Sequence, residues 1–168
     1  MAQMAFPTTG HDHSGCLAEA FGRAERLFVE QGMKLTDQRR LVLAEVAASH
    51  HAVGAYEILD RLAARGRRMA PISVYRALDA LVAVGVIHRL ESSNAFFACH
   101  VAHGPRGDQA VLACEHCKRV AEIEAPVAFA ALGKIAASAG FTPSRRVVEI
   151  VGVCADCQKS AAPAGGTT

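Results

Sequence analysis

Two pairs of cysteines carry the clearest chemical signal in this chain: Cys114-Glu-His-Cys117 and Cys154-Ala-Asp-Cys157, with 36 residues between them. A C-x2-C spacing closes a short knuckle that aims two thiolates at one point. Two such knuckles make the tetrahedral sulfur set that zinc prefers, with bonds of about 2.3 Å. Four sulfurs leave no coordination position for water, so the ion they hold is structural rather than catalytic. Disulfides are the weaker reading. The N-terminus lacks a basic start followed by an apolar run, so the sequence predicts a cytoplasmic protein whose thiols stay reduced. A redox pair normally opens a helix, whereas both pairs here follow strand-like stretches, which favours metal.

A second set of metal-binding side chains lies between the first pair and the N-terminal half. His88 and Cys99 sit in two strand-like runs, Val86–Leu90 and Ala95–Cys99, around the turn Glu91-Ser-Ser-Asn94. A turn centred on Ser92-Ser93 pairs 88 with 97 and 86 with 99, so His88 and Cys99 share a face as diagonal neighbours, about 7–8 Å apart at Cα. His100, His103 and Glu122 follow. One ion held by this group would tie the two halves of the chain together. A thiolate beside imidazole and carboxylate suits zinc, while a nitrogen and oxygen set would suit ferrous iron better. The plain alternative for His88 is a hydrogen-bonded or exposed histidine.

The third chemical feature is basic. From Arg61 to Arg89 six arginines face a single acid, Asp79, although the chain's net charge is only +2. Such clustering suits a phosphate backbone, and its ordinary alternative is a solvated helix face. Arg65, Arg67 and Arg68 precede a helical stretch that carries Tyr75 and Arg76. Arg76 can donate two hydrogen bonds to a guanine edge in a major groove, while the preceding arginines contact phosphate and set register. Tyr75 either meets the DNA or packs in the core.

These side chains need elements to position them. Helical patterns run from Leu17 to Gln31, Thr36 to Ala48, Ala55 to Arg65 and Pro71 to Val84, with Gly32, Gly66 and Gly85 as stops and Pro71 as a start. The two strand-like runs then follow. Helices followed by a hairpin predict a winged helix-turn-helix, with Pro71–Val84 as its recognition helix. After a polar loop come strands at Ala110–Ala113 and Arg119–Glu124, a helix from Pro126 to Gly140, and a strand at Arg145–Val153. The expected architecture is α+β: a winged-helix DNA-binding domain at 15–99, a hinge at 100–109 and a small α/β, zinc-bound dimerisation domain at 110–158. Tails at 1–14 and 159–168 are expected to be disordered. Cys16, His11 and His13, in or beside the first tail, receive no ligand role.

Leu35-Thr-Asp-Gln-Arg39, Ala55-Tyr-Glu-Ile-Leu59, Ser73-Val-Tyr-Arg-Ala-Leu78, the His88 and Cys99 wing and both C-x2-C pairs together resemble the ferric uptake regulator family, in its zinc uptake branch. The likeness spans about residues 17–158. It implies zinc-loaded homodimers that bind operator DNA and repress zinc uptake genes. It also implies that Cys114, Cys117, Cys154 and Cys157 hold a structural zinc, and that His88, Cys99 and Glu122 are three ligands of a regulatory zinc, two ions per protomer. Relatives carry the fourth ligand further into the hinge, where this chain has Gly107; His103 is the preferred substitute and His100 the second choice. Tyr56 and Arg76 match operator-contacting positions.

An enzyme is the competing class. There is no His-Glu-x-x-His and the main metal site is closed, so neither catalysis nor a small-molecule substrate is expected. Sensing of iron or peroxide by the same family is the nearer alternative, and Cys99 as a ligand argues against it. The longest apolar stretches fall short of the ~20 residues of a membrane helix, so no membrane partner is expected.

Overall fold

The computed structural model describes residues 6, 13–98 and 108–161. They fall into two compact units, one within Pro7–Ala102 and one comprising Met1–Phe6 with His103–Thr168.

The first unit runs α1 (His13–Glu30), α2 (Asp37–Ala47), β1 (Val53–Gly54), α3 (Ala55–Ala64), α4 (Pro71–Ala83), β2 (Ile87–Leu90) and β3 (Ala95–Ala98). Thr36 caps α2, its hydroxyl accepting from the Arg39 N–H. In α4, Pro71 sits in the first turn, where a missing N–H costs nothing, and Gly85 ends the helix at φ 79°. The Val86 N–H closes that end onto the Leu81 carbonyl at 3.1 Å. Val74, Ala77, Leu78 and Leu81 recur at helical spacing and are buried. They pack in one core with Ile58 and Leu62 of α3, Val42, Leu43 and Val46 of α2, and Ala24 and Phe28 of α1.

β2 and β3 pair antiparallel in the expected register, His88 opposite Phe97 and Ile87 opposite Ala98. The sheet order is β1-β3-β2. β1 was not legible beforehand, because two residues carry no periodicity. By pairing Val53 with Phe96 it makes β3 the middle strand, and all four β3 residues are buried. α1 also begins at His13, inside the segment expected to be a disordered tail.

The second unit contains β4 (Gln109–Cys114), β5 (Val120–Glu124), α5 (Pro126–Ser138), β6 (Val148–Gly152) and α6 (Ala155–Ala161). Its sheet has the order β5-β4-β6, with β5 antiparallel and β6 parallel to β4. The last strand is shorter at both ends than the sequence suggests, and α6 extends into residues expected to be a tail. α5 is apolar in sequence, yet of its residues only Phe129 is buried. Val127, Leu132, Ile135, Phe141, Ile150 and Val151 are exposed.

Candidate metal centre and nucleic-acid face

β4 delivers Cys114 at its last residue, and the chain turns at once. The Lys118 N–H bonds the Cys114 carbonyl at 2.9 Å, and the Cys114 N–H bonds the Arg119 carbonyl at 2.9 Å. Lys118 takes the left-handed conformation, φ 60°, that lets so tight a turn re-enter a strand. The Glu115 N–H bonds the Gly152 carbonyl at 2.9 Å, fastening this knuckle to the end of β6. Cys154 follows β6, and Cys157 lies in the first turn of α6. The second pair therefore does open a helix, so the position of the cysteines does not by itself separate a redox pair from a metal site.

Convergence separates them. The four sulfurs of Cys114, Cys117, Cys154 and Cys157 all lie within 4.8 Å of one another. A zinc–sulfur bond of 2.3 Å gives a tetrahedron with edges of about 3.8 Å, and Cys117 Sγ to Cys154 Sγ, across the two knuckles, measures 3.8 Å. The residues fit the ion. Bound there, zinc would pin the end of β4 to the start of α6.

The thiols are prepared unequally. Burial pushes Cys114 up, but the backbone N–H groups of Cys154, Cys117 and His116 outweigh it and bring the thiol down to about 6. Cys154 is lowered too, chiefly by the Cys157 N–H. Cys157 moves the other way, to about 12, because its hydrogen bond to Cys154 and its burial hold the proton on. Two sulfurs thus favour the thiolate that a metal needs, and one keeps a proton that metal binding would release.

One more side chain touches this cluster. Arg119 donates from Nε to Cys117 Sγ at 3.3 Å and from Nη2 to Cys154 Sγ at 3.3 Å and Asp156 Oδ2 at 2.7 Å. The guanidinium in turn holds the Asp156 carboxyl below its ordinary range. Sequence reasoning missed Arg119; its only signal is an arginine two residues past a ligand, at the head of a strand.

The second set of expected ligands is only partly within view. His88 is half-buried on β2, its ring 5.6 Å from that of Phe97 and tilted by 40°. Glu122 is half-buried on β5, opposite Val111. Cys99, His100 and His103 lie outside the described residues.

The basic residues sort by exposure. Arg76 faces solvent on α4, Arg67 and Arg68 are exposed before it, and Tyr75 is half-buried against the core. Tyr56, in the first turn of α3, is 70% exposed, unusual for a tyrosine without a partner surface. Arg65 has a second occupation that the sequence did not suggest: its Nη1 bonds Glu45 Oε1 at 2.6 Å, and the Glu45 side chain is 1% exposed. Glu45 falls on the buried stripe of α2 with Val42 and Val46, and a carboxylate on such a stripe is the sign that an arginine is coming to meet it. Arg40 pairs with Glu25 at 2.9 Å, and Arg39 lies 5.1 Å from the Phe28 ring centre, so both have internal roles besides any DNA contact.

A winged-helix unit with an exposed arginine on its last helix, joined in one chain to an α/β unit closed by four sulfurs, defines a metal-binding transcription regulator. The chain belongs to the ferric uptake regulator family, which it matches over residues 30–151. Over 139 residues it is 34% identical to the zinc uptake regulation protein of Escherichia coli (strain K12), covering 83% of this chain and 81% of that one. Among solved structures it is similar to a zinc uptake regulator complexed with zinc and DNA, with TM-score 0.79 and 32% identity over 92% of this chain and 98% of the other. It is similar also to holo XcZur, with TM-score 0.74 and 36% identity over 85% and 99%. No helix among the described residues is long and apolar enough to cross a membrane.

Proposed function

We propose that this chain is a zinc-responsive transcriptional repressor that binds operator DNA as a zinc-loaded homodimer and controls zinc uptake genes. The observation that carries this reading is the likeness, over nearly the whole chain, to a regulator complexed with zinc and DNA. The protein works in the cytoplasm and catalyses no reaction.

Each protomer holds two zinc ions. Cys114, Cys117, Cys154 and Cys157 hold the structural ion, and the four converging sulfurs support this. His88, Cys99, Glu122 and His103, with His100 as the alternative to His103, hold the regulatory ion. We propose residues 15–99 as the DNA-binding domain, 100–109 as the hinge and 110–158 as the dimerisation domain. The exposed apolar residues of α5 and β6 support a partner surface for a second copy, since patches of that kind are rarely left in water. On DNA, α4 enters the major groove with Arg76 reading a base and Tyr75 beside it. Tyr56, Arg67 and Arg68 hold the backbone, and Arg65 does so with the part of its guanidinium that Glu45 leaves.

The test is zinc titration of wild type and Cys99→Ser with labelled operator. A ligand shifts a conformational equilibrium only through its different affinity for the two states. Loss of the soft ligand removes zinc's preference for the DNA-binding form while the four-sulfur site stays closed. Cys99→Ser is therefore a folded dimer whose operator binding no longer rises with zinc. An unchanged midpoint and amplitude would place the sensing site elsewhere, and wild-type operator binding that follows ferrous iron but not zinc would overturn the zinc reading itself.

A further inference from the structure

Arg119 is 6% exposed, and a guanidinium is costly to bury without partners. Its partners here are unusual for an arginine. Nε reaches Cys117, of the first knuckle, and Nη2 reaches Cys154, of the second, both at 3.3 Å. The remaining Nη2 hydrogen goes to Asp156 at 2.7 Å, which fixes the fork from the α6 side. The Phe6 ring lies over the guanidinium with its centre 6.0 Å from Cζ, within the range of a cation–π contact. The left-handed Lys118 turns the chain so that the next side chain points back at the sulfurs.

Charge explains why a cation belongs there. Four thiolates around one zinc ion carry a net charge of −2, most of it on sulfur, in a site whose Cys114 and Cys154 are buried. Hydrogen bonds to metal-bound sulfur draw electron density from it, make it less prone to take a proton or leave the metal, and orient it. A planar guanidinium holds its donors at fixed angles toward two sulfurs, whereas an ammonium offers three rotatable donors from a single nitrogen on a flexible stem.

We propose that Arg119 is a positioning residue for the structural zinc: by donating to one sulfur of each knuckle it offsets the cluster's charge and makes the ion slow to leave. The inference rests on the four-sulfur zinc reading above. It predicts a site whose inertness depends on Arg119 and, through it, on Asp156.

The experiment uses full-length, zinc-loaded protein and follows zinc transfer to the coloured chelator 4-(2-pyridylazo)resorcinol, with cobalt-loaded protein as a spectroscopic probe. Arg119→Met, which fills the space without donating, releases zinc from the resistant site at least tenfold faster than wild type. Its thiolate-to-cobalt charge-transfer band moves to longer wavelength, because sulfur lone pairs that lose N–H donors rise in energy, while unchanged d–d bands show that the tetrahedral sulfur set itself is not distorted. Arg119→Lys keeps the charge but not the fork and falls between. Asp156→Asn leaves Arg119 in place but unanchored, and it gives a smaller acceleration even where Arg119→Met fails to fold. Wild-type release rates and an unshifted band in Arg119→Met, or a wild-type rate in Asp156→Asn with Arg119→Met unfolded, overturn the inference alone. A wild-type protein that binds no resistant zinc overturns the four-sulfur reading instead.

Discussion

The two units of this protein solve the problem of staying folded in different ways. The winged-helix unit packs three helices and α1 around one apolar core in which Phe28, Leu43, Ile58, Leu62, Leu78, Leu81 and Ile87 are almost fully enclosed. The second unit has a sheet of three strands, and the helix between two of them encloses a single side chain, Phe129. The strands bury mostly small residues, Ala110, Ala113, Val120 and Ala121, while Val127, Leu132, Ile135, Ile150 and Val151 are exposed, and Cys114 at the end of β4 and Cys154 after β6 belong to the four-sulfur cluster. A core of this size leaves little apolar burial to set against the chain entropy lost on folding. The comparison teaches that the winged-helix unit carries a large apolar core inside itself, while the second unit, on the function proposed above, draws on a metal ion and a second copy.

The largest expected effect comes from breaking that dependence. Cys114→Ser removes one of four ligands from an ion whose binding can be worth on the order of 10 kcal/mol to a small domain. The second unit should unfold and the dimer dissociate, while the winged helix keeps its structure. Hydrogen exchange read residue by residue, with sedimentation for the dimer, checks this. Equal loss of protection in both units would mean that the winged helix is not self-sufficient.

The converse substitution strikes the core of the first unit. Leu78→Ala leaves a cavity where α4 meets α2 and α3 and should cost about 2–5 kcal/mol. Thermal melts should show the loss in the winged-helix transition, and the zinc resistant to chelation should stay at its wild-type amount. Loss of that zinc would show that the two units are not separately stabilised.

The smallest effect sharpens the functional side of the same unit. Arg76→Ala should weaken operator binding by about 1–3 kcal/mol and relax base preference, while Arg67→Ala weakens operator and scrambled DNA alike. Arg67 is a cleaner probe of phosphate contact than Arg65, whose removal also strands the buried Glu45 carboxylate. Titrations of both DNAs at several salt concentrations distinguish the two roles. Equal losses on both DNAs for Arg76→Ala would assign it to phosphate.

Much of this was legible in the chain itself, because the signals are local. Thr36, Pro71 and Gly85 mark helix ends through the φ angles and the donors they offer or lack. The helical spacing of Val74, Ala77, Leu78 and Leu81 gives α4 its buried face and leaves Arg76 outside it. The turn after Leu90 sets the register of the hairpin, and a C-x2-C spacing is a knuckle wherever it occurs. What local signals do not encode is which distant faces meet. That Cys117 and Cys154 come within 3.8 Å, that Arg119 reaches a sulfur of each knuckle, and that Arg65 finds Glu45 were decided by the packing of elements 20 to 37 residues apart. The exposure of α5 was decided the same way. Its sequence is apolar enough for a core, but a three-stranded sheet offers too little surface to cover it, and only the folded chain reveals that the surplus faces outward.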